Sequence, residues 1–193
     1  MKLVIIATLL PFLAFGQEKT SAKRAALVAA ARSQIGVTTI YDSSYVSLKY
    51  PGGDVPKERG VCTDVVIRAL RKQSADLQKL VHLDMKKAFS RYPKIWGLKR
   101  TDRSIDHRRV PNLQTYFKRR GISMKVTKNA TDYQPGDFVT CLLGGTLPHI
   151  MIVSDKKNSD GTPLVIHNIG SGTEETDSLF TYPLTGHYRW FQK

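Results

Sequence analysis

Apolar residues in the first half of the chain recur at the spacing of amphipathic helices. An Ala-rich stretch is followed by Gly36, a natural helix stop, and a later helix is bracketed by Pro111 at its start and Gly121 at its end. Two further apolar stripes lie between them. The predicted helices cover residues 20–35, 62–73, 75–92 and 111–121.

Shorter apolar runs replace the helical pattern in the second half of the chain. They are separated by turn dipeptides such as Pro135-Gly136 and Asp160-Gly161. The predicted strands cover residues 122–127, 137–143, 149–154, 163–168 and 186–191. Helices followed by hairpin-linked strands are typical of the α+β class. We therefore expect N-terminal helices packed on an antiparallel sheet of about five strands.

The N-terminus has the layout of a secretory signal peptide. A nearly continuous apolar run follows Lys2 and ends at Gly16, with small residues at both cleavage positions. The run is too short to span a bilayer comfortably, so we expect no stable membrane anchor. We predict a signal peptide over 1–16, one mature domain over 17–193, and a periplasmic or secreted location.

The net charge of the chain indicates which classes of partner it can bind. Lys and Arg number 30 against 16 Asp and Glu, a net charge of +14, and removal of Lys2 with the signal leaves +13. Such a balance suits nucleic acid, anionic lipid or an acidic cell-wall polymer. The basic residues are spread over helices and loops, without an aromatic stacking platform or a recognition motif, so we expect no nucleic-acid partner.

Cys62 is the first candidate for chemistry. It follows a loop over 41–60 that is dense in Tyr, Ser, Pro and Gly, and it opens a predicted helix. Unpaired N–H groups and the helix dipole favour a thiolate there, so we expect its pKa to fall. A lone cysteine is also often a small buried core residue. Cys141 lies within an apolar strand, where burial predicts a raised pKa and low reactivity.

Two histidines complete the candidate constellation. His149 starts one predicted strand and His167 lies in the next, beyond a turn over 158–161, so the hairpin places them close together. A cysteine followed by two such histidines fits a nucleophile, a base and the residue that orients the base. Asn168 is the second choice for the orienting residue, on the opposite face of the strand. Alone, a histidine at a strand end is more often structural.

The motifs resemble those of known families. The segments QPGDFV, LPHIMIVSD and VIH are similar to the strand succession of NlpC-type cell-wall cysteine peptidases. The segments RGVCTDVVIRALR, IDHRRVPNL and IHNIGSGTEETD resemble, in order and spacing, the bacterial domain-of-unknown-function 1287 family. The resemblance covers about residues 25–191. It implies a papain-like α+β fold, with Cys62 as nucleophile, His149 as base and His167 as third polar residue.

Candidate substrate-binding residues lie in two loops. Tyr45 belongs to the loop before Cys62, and Asp106 and Arg108 belong to a basic loop over 93–111. Arginine pairs with carboxylates bidentately, so the basic loop suits an anionic substrate group such as a stem-peptide carboxylate. A solvated basic loop with a local Asp–Arg pair is an equal alternative, as are loop tyrosines that pack on the surface.

These observations predict an exported thiol amidohydrolase that cleaves an amide bond in peptidoglycan stem peptides. The alternative is a catalytically inactive wall-binding module of the same fold. The five histidines lack the spacing of common metal motifs, so we expect neither a metal nor another cofactor. The expected partners are peptidoglycan or its peptide fragments, and an inhibitor protein is a further candidate.

Overall fold

The computed structural model of the protein describes residues 10–192. The predicted signal peptide therefore lies partly outside the described residues, and residues 10–16 belong to the first helix. The α-helices are α1 (Leu10–Arg32), α2 (Cys62–Arg71), α3 (Leu77–Ala88) and α4 (Val110–Arg119). Short 3-10 helices cover Phe89–Arg91, Asp106–Arg108 and Ala130–Asp132. No helix in this part of the chain is long and apolar enough to cross a membrane.

The strands form one large sheet and one small parallel pair. They are β1 (Ile40–Tyr41), β2 (Arg59–Gly60), β3 (Ser123–Met124), β4 (Phe138–Leu143), β5 (Leu147–Lys157), β6 (Pro163–Asn168), β7 (Thr173–Thr176) and β8 (Leu184–Tyr188). The large sheet has the order β3-β8-β4-β5-β6-β7, and all of its neighbours are antiparallel. The predicted α+β class is confirmed, with six strands instead of about five.

The helices pack on one face of this sheet. Successive residues of a strand face opposite sides, so Ile150 and Ile152 join the core beneath the helices. Met151 and Val153 join a second, smaller core on the other face. The central strands are therefore buried on both sides, which explains their nearly continuous apolar sequence. Helices on an antiparallel sheet, with a cysteine at a helix start, agree with the papain-like arrangement that the resemblance implies.

Several boundaries differ from the predictions, and three differences need an explanation. The first helix ends at Arg32, and the chain turns through 33–37 instead of staying helical to residue 35. β3 has two residues where six were predicted. β7 was not predicted at all, because its sequence TEET has no apolar alternation; its pairing with β6 defines it.

Candidate active site

Cys62 is the first residue of α2, as predicted. The turn before it is fixed by Asp64, whose carboxylate accepts a hydrogen bond from the Val61 N–H at 2.7 Å. The Asp64 N–H in turn donates to the Val61 carbonyl at 3.0 Å. Asn168 holds the same turn from the sheet, because its amide donates to the Gly60 carbonyl at 3.0 Å. The nucleophile candidate therefore lies on a firmly anchored helix start.

The Cys62 thiol does not have the lowered pKa that its position predicts. Burial raises its pKa to about 12, and the nearby Asp64 carboxylate adds to the rise. Hydrogen bonds from the backbone N–H groups of Ile150 and Thr63 act in the opposite direction but do not compensate. Only 5% of Cys62 is exposed. The prediction of a resting thiolate is therefore wrong, because desolvation outweighs the helix start.

Arg108 forms a buried ion pair with Asp64, which lies in the first turn of the helix that Cys62 begins. Its Nε and Nη2 atoms donate to the two carboxylate oxygens of Asp64, each at 2.9 Å. Nη1 donates to the Ser44 carbonyl at 3.3 Å, and Nη2 also contacts the Asp42 carbonyl at 3.4 Å. Arg108 lines the cleft, and most of its donors are engaged within the protein, so its predicted role in binding a substrate anion stays a prediction.

The two histidines meet as the hairpin predicts. His149 Nε2 and His167 Nδ1 are 2.9 Å apart, and both side chains are buried. His167 Nε2 lies 2.8 Å from the Thr176 hydroxyl, which lies 2.8 Å from the Ser178 hydroxyl. Burial lowers the pKa of His149 to about 3 and that of His167 to about 4. Both imidazoles are therefore neutral at physiological pH.

This chain of contacts is compatible with one useful tautomer. If His149 carries its hydrogen on Nε2, it donates to His167 Nδ1, and His167 Nε2–H donates to Thr176. The Thr176 hydroxyl can then donate to Ser178. In this arrangement Nδ1 of His149 is an unprotonated base. Among residues 10–192, no hydrogen bond of that atom is found.

The structure brings the cysteine near the end of β5 but does not join it to a histidine. The Ile150 N–H, which lowers the pKa of the thiol, belongs to the residue after His149, so Cys62 lies near the end of β5 that contains His149. Within the described residues, no hydrogen bond links Cys62 Sγ to either imidazole. Catalytic hydrogen bonds are often long in free enzymes and tighten when substrate binds.

A cleft of about 360 Å³ opens beside Cys62. Its walls are mostly apolar, and its polar side chains come from the loops on either side. The lining includes Tyr41, Ser43, Trp96, Ile105, Arg109 and Leu147. Most of these wall residues belong to segments that sequence patterns describe only as irregular.

Two other predicted binding residues lie outside this lining. The Tyr45 ring is largely exposed, and its hydroxyl donates to Asp102 at 3.1 Å. Asp106 is buried, and its Oδ2 accepts the Asp102 N–H at 2.6 Å. Burial raises the pKa of Asp106 to about 6. Both side chains therefore lie outside the lining of the Cys62 cleft, and their predicted roles in substrate binding stay predictions.

The remaining thiol is Cys141, on β4 opposite His149. It is fully buried, burial raises its pKa to about 11, and both cysteines are free. The expectation of a buried, unreactive Cys141 agrees with this placement. Across residues 10–192, no group of three or more His, Cys, Asp or Glu side chains is arranged to hold a metal ion.

Sequence reasoning missed the residues that depend on long-range packing. Thr176 extends the histidine chain from an unpredicted strand, and Asn168 anchors the Cys62 turn instead of orienting a histidine. Trp96 lines the cleft, although nothing in its local sequence marks it, whereas Arg109 belongs to the basic loop that was considered for an anionic substrate group. For Asp64, the sequence did offer a signal, because its position in the first turn of the predicted helix suggested a capping role.

A family model and a relative agree with the resemblance to the domain-of-unknown-function 1287 family. The family model "Domain of unknown function (DUF1287)" matches residues 28–190. The relative named "Uncharacterized protein YijF", from Escherichia coli (strain K12), is 60% identical over 168 residues, which are 87% of this chain and 82% of the relative. A solved structure, NlpC1 from Trichomonas vaginalis, has 15% identity and a TM-score of 0.45, over 86% of this chain and 45% of that one. The match to the family model and the relative together show that the chain belongs to the domain-of-unknown-function 1287 family.

Proposed function

We propose that the protein is an exported thiol amidohydrolase that cleaves an amide bond in peptidoglycan stem peptides. The observation that carries the proposal is a cysteine at a helix start in a cleft, together with two buried histidines on β5 and β6 whose rings lie within hydrogen-bond distance of each other. An unprotonated Nδ1 can accept the thiol proton, but the pKa of His149 is about 3 and that of Cys62 about 12, so in this proposal substrate binding must bring the two values together.

The reaction begins from a neutral thiol and a neutral imidazole. As Cys62 Sγ attacks the amide carbonyl carbon, its proton passes to His149 Nδ1, and the carbonyl oxygen becomes an oxyanion. Backbone N–H groups at the start of α2 are suited to stabilise that charge. Tyr41 lines the same cleft, and its hydroxyl is a further candidate donor.

The second half of the reaction releases both products. The imidazolium of His149 gives its proton to the departing amine as the C–N bond breaks, which leaves a thioester on Cys62. Water then attacks the thioester carbonyl and loses its proton to His149. The carboxylic acid product departs, and the Cys62 thiol is restored. His167 and Thr176 hold the tautomer of His149 that both steps require.

The proposal is tested by digesting purified peptidoglycan and measuring product masses. The unmodified protein is expected to release stem-peptide fragments. Cys62→Ala and His149→Ala are expected to lose more than about a hundredfold in rate, and His167→Ala less than either. Cys141→Ala serves as the matched thiol control and is expected to retain the activity. Equal activity of His149→Ala and the unmodified protein would remove the base assignment.

One observation favours the alternative of a catalytically inactive wall-binding module. The Cys62 thiol is buried with a raised pKa, and in the described residues no hydrogen bond joins it to a histidine. An inactive module is expected to bind peptidoglycan in a pull-down assay without changing its product masses. If Cys62→Ala then binds as well as the unmodified protein, the module is the better description.

A further inference from the structure

Arg109 and Trp96 form a stacked pair in the wall of the Cys62 cleft. The guanidinium carbon of Arg109 lies 4.1 Å from the centroid of the Trp96 ring, and both residues line the cleft. A guanidinium stacked on an indole keeps its charge and fixes its plane, while its edges remain available as donors. The cleft therefore contains a cation whose orientation is set by the protein.

The buried side of the Arg109 guanidinium faces a carboxylate. Its Nη1 atom is buried and lies 3.8 Å from Asp106 Oδ1. Asp106 is itself fixed by the Asp102 N–H that donates to its other oxygen at 2.6 Å. No hydrogen bond of any Arg109 nitrogen is found among residues 10–192. One edge of the guanidinium therefore faces the Asp106 carboxylate as an ion pair, and within the described residues all of its donors are unused.

Arg108, the second cation of the cleft, has fewer free donors for a ligand than Arg109 has. Arg108 lines the same cleft, but Asp64 and the carbonyls of Ser44 and Asp42 engage its donors. The walls around Arg109 are otherwise mainly apolar, with Ile105 and Leu147 among them. A carboxylate that enters this cleft would meet one oriented cation in a poorly hydrated environment, where bidentate pairing is most favourable.

We propose that Arg109, stacked on Trp96, is the residue by which the Cys62 cleft binds a free carboxylate of its ligand. The substrate would then be a peptide with a carboxylate close to the amide that is cut. The description of this ligand as a substrate rests on the proposed hydrolase function. The carboxylate site itself does not, because it is defined by contacts within the cleft.

The first test compares two reagents that alkylate the same thiol. Iodoacetate carries a carboxylate and iodoacetamide does not, so the ratio of their rates at Cys62 reports an anion-binding group nearby. At one fixed alkaline pH the thiolate fraction cancels from this ratio. Arg109→Gln is expected to lower the ratio on the order of fivefold, as the loss of one nearby charge predicts. Mass mapping separates Cys62 from Cys141.

Arg120→Gln is the matched control. Arg120 also stacks on an indole, with its guanidinium carbon 4.5 Å from the centroid of Trp190, but it does not line the Cys62 cleft. Its replacement removes the same charge and is expected to leave the ratio unchanged. A ratio that stays constant in Arg109→Gln, or that falls equally in both variants, overturns the proposal.

A second test uses the unmodified protein and so does not depend on the folding of a variant. N-acetylalanine, which has a free carboxylate, is expected to slow the labelling of Cys62 by iodoacetamide more than N-acetylalaninamide does. Equal protection by the two compounds overturns the proposal. Neither test requires hydrolysis. Failure of the hydrolase proposal would therefore leave these results standing, and an active hydrolase with equal protection would refute only the role of Arg109.

Discussion

At the scale of single residues, the same burial that builds the site also sets its protonation. Cys62 and His149 both lose water on folding, which raises the pKa of the thiol and lowers that of the imidazole. The resting pair is therefore uncharged. This differs from a preformed thiolate–imidazolium pair, and in the proposed reaction it makes proton transfer part of the attack on the substrate.

The uncharged thiol leads to a prediction about its reactivity. Because the pKa of Cys62 is raised to about 12, its rate of alkylation by iodoacetamide should increase about tenfold per pH unit between about pH 7 and pH 10, without a plateau. The measurement is a pH series of labelling rates with mass mapping of the Cys62 peptide. A plateau reached below about pH 8 would instead indicate a thiolate stabilised by His149.

At the scale of elements, the sequence predicts those that bury an apolar face. The helices that form α2 and α4 have clear apolar stripes, and β4, β5 and β6 are apolar runs bounded by turns. β7 escapes prediction because its polar residues pair with the edge of β6, a contact that local sequence does not encode. Cys62, His149 and His167 were identifiable because a helix start and a hairpin are local features.

The wall of the Cys62 cleft was also hard to predict, because it depends on contacts between distant parts of the chain. It comes from loops that fold against the start of α2, and the Asp64–Arg108 pair joins residues 44 positions apart. This pair fastens three segments together: the first turn of α2, the chain around Ser44, and the 3-10 turn Asp106–Arg108. Sequence alone favours a capping role for Asp64 and a substrate role for Arg108, and only the folded chain shows them paired.

Loss of the Asp64–Arg108 ion pair is expected to lower the free energy of unfolding strongly. Arg108→Met leaves the Asp64 carboxylate buried without its partner, so the free energy of unfolding should fall by about 3–5 kcal/mol. Arg119→Met is the control, because Arg119 pairs with Asp84 at a more exposed position and its loss should cost about 0–1 kcal/mol. Urea denaturation measures both. Similar losses in the two variants would contradict this role of the ion pair.

At the scale of the whole molecule, three buried neutral histidines link folding to pH. Burial lowers the pKa of His107 and His149 to about 3 and that of His167 to about 4. Unfolded histidine titrates near pH 6.5, so the unfolded chain gains protons first as the pH falls. Asp106, with a pKa raised to about 6, acts in the opposite direction, one group against three.

The resulting prediction is a loss of stability in mild acid. The contribution of the histidines is fully present above about pH 6.5 and declines as the pH falls toward their folded pKa values, by about 1.4 kcal/mol per pH unit for each histidine. Urea denaturation at about pH 7 and about pH 5 measures the change. His107→Phe, outside the candidate site, should reduce the slope by about a third to a half, because Asp106 offsets part of the effect of the three histidines. Equal stability at both pH values would contradict this account.

The central claim is that Cys62 attacks an amide and carries the acyl group as a thioester. Intact-protein mass spectrometry of samples quenched in acid during digestion of peptidoglycan fragments tests it most directly. The account predicts an added mass equal to the acyl part of the released fragment, mapped to the peptide that contains Cys62 and absent from Cys62→Ala. Fragment release without an adduct on Cys62, or equal release by Cys62→Ala, would contradict the account.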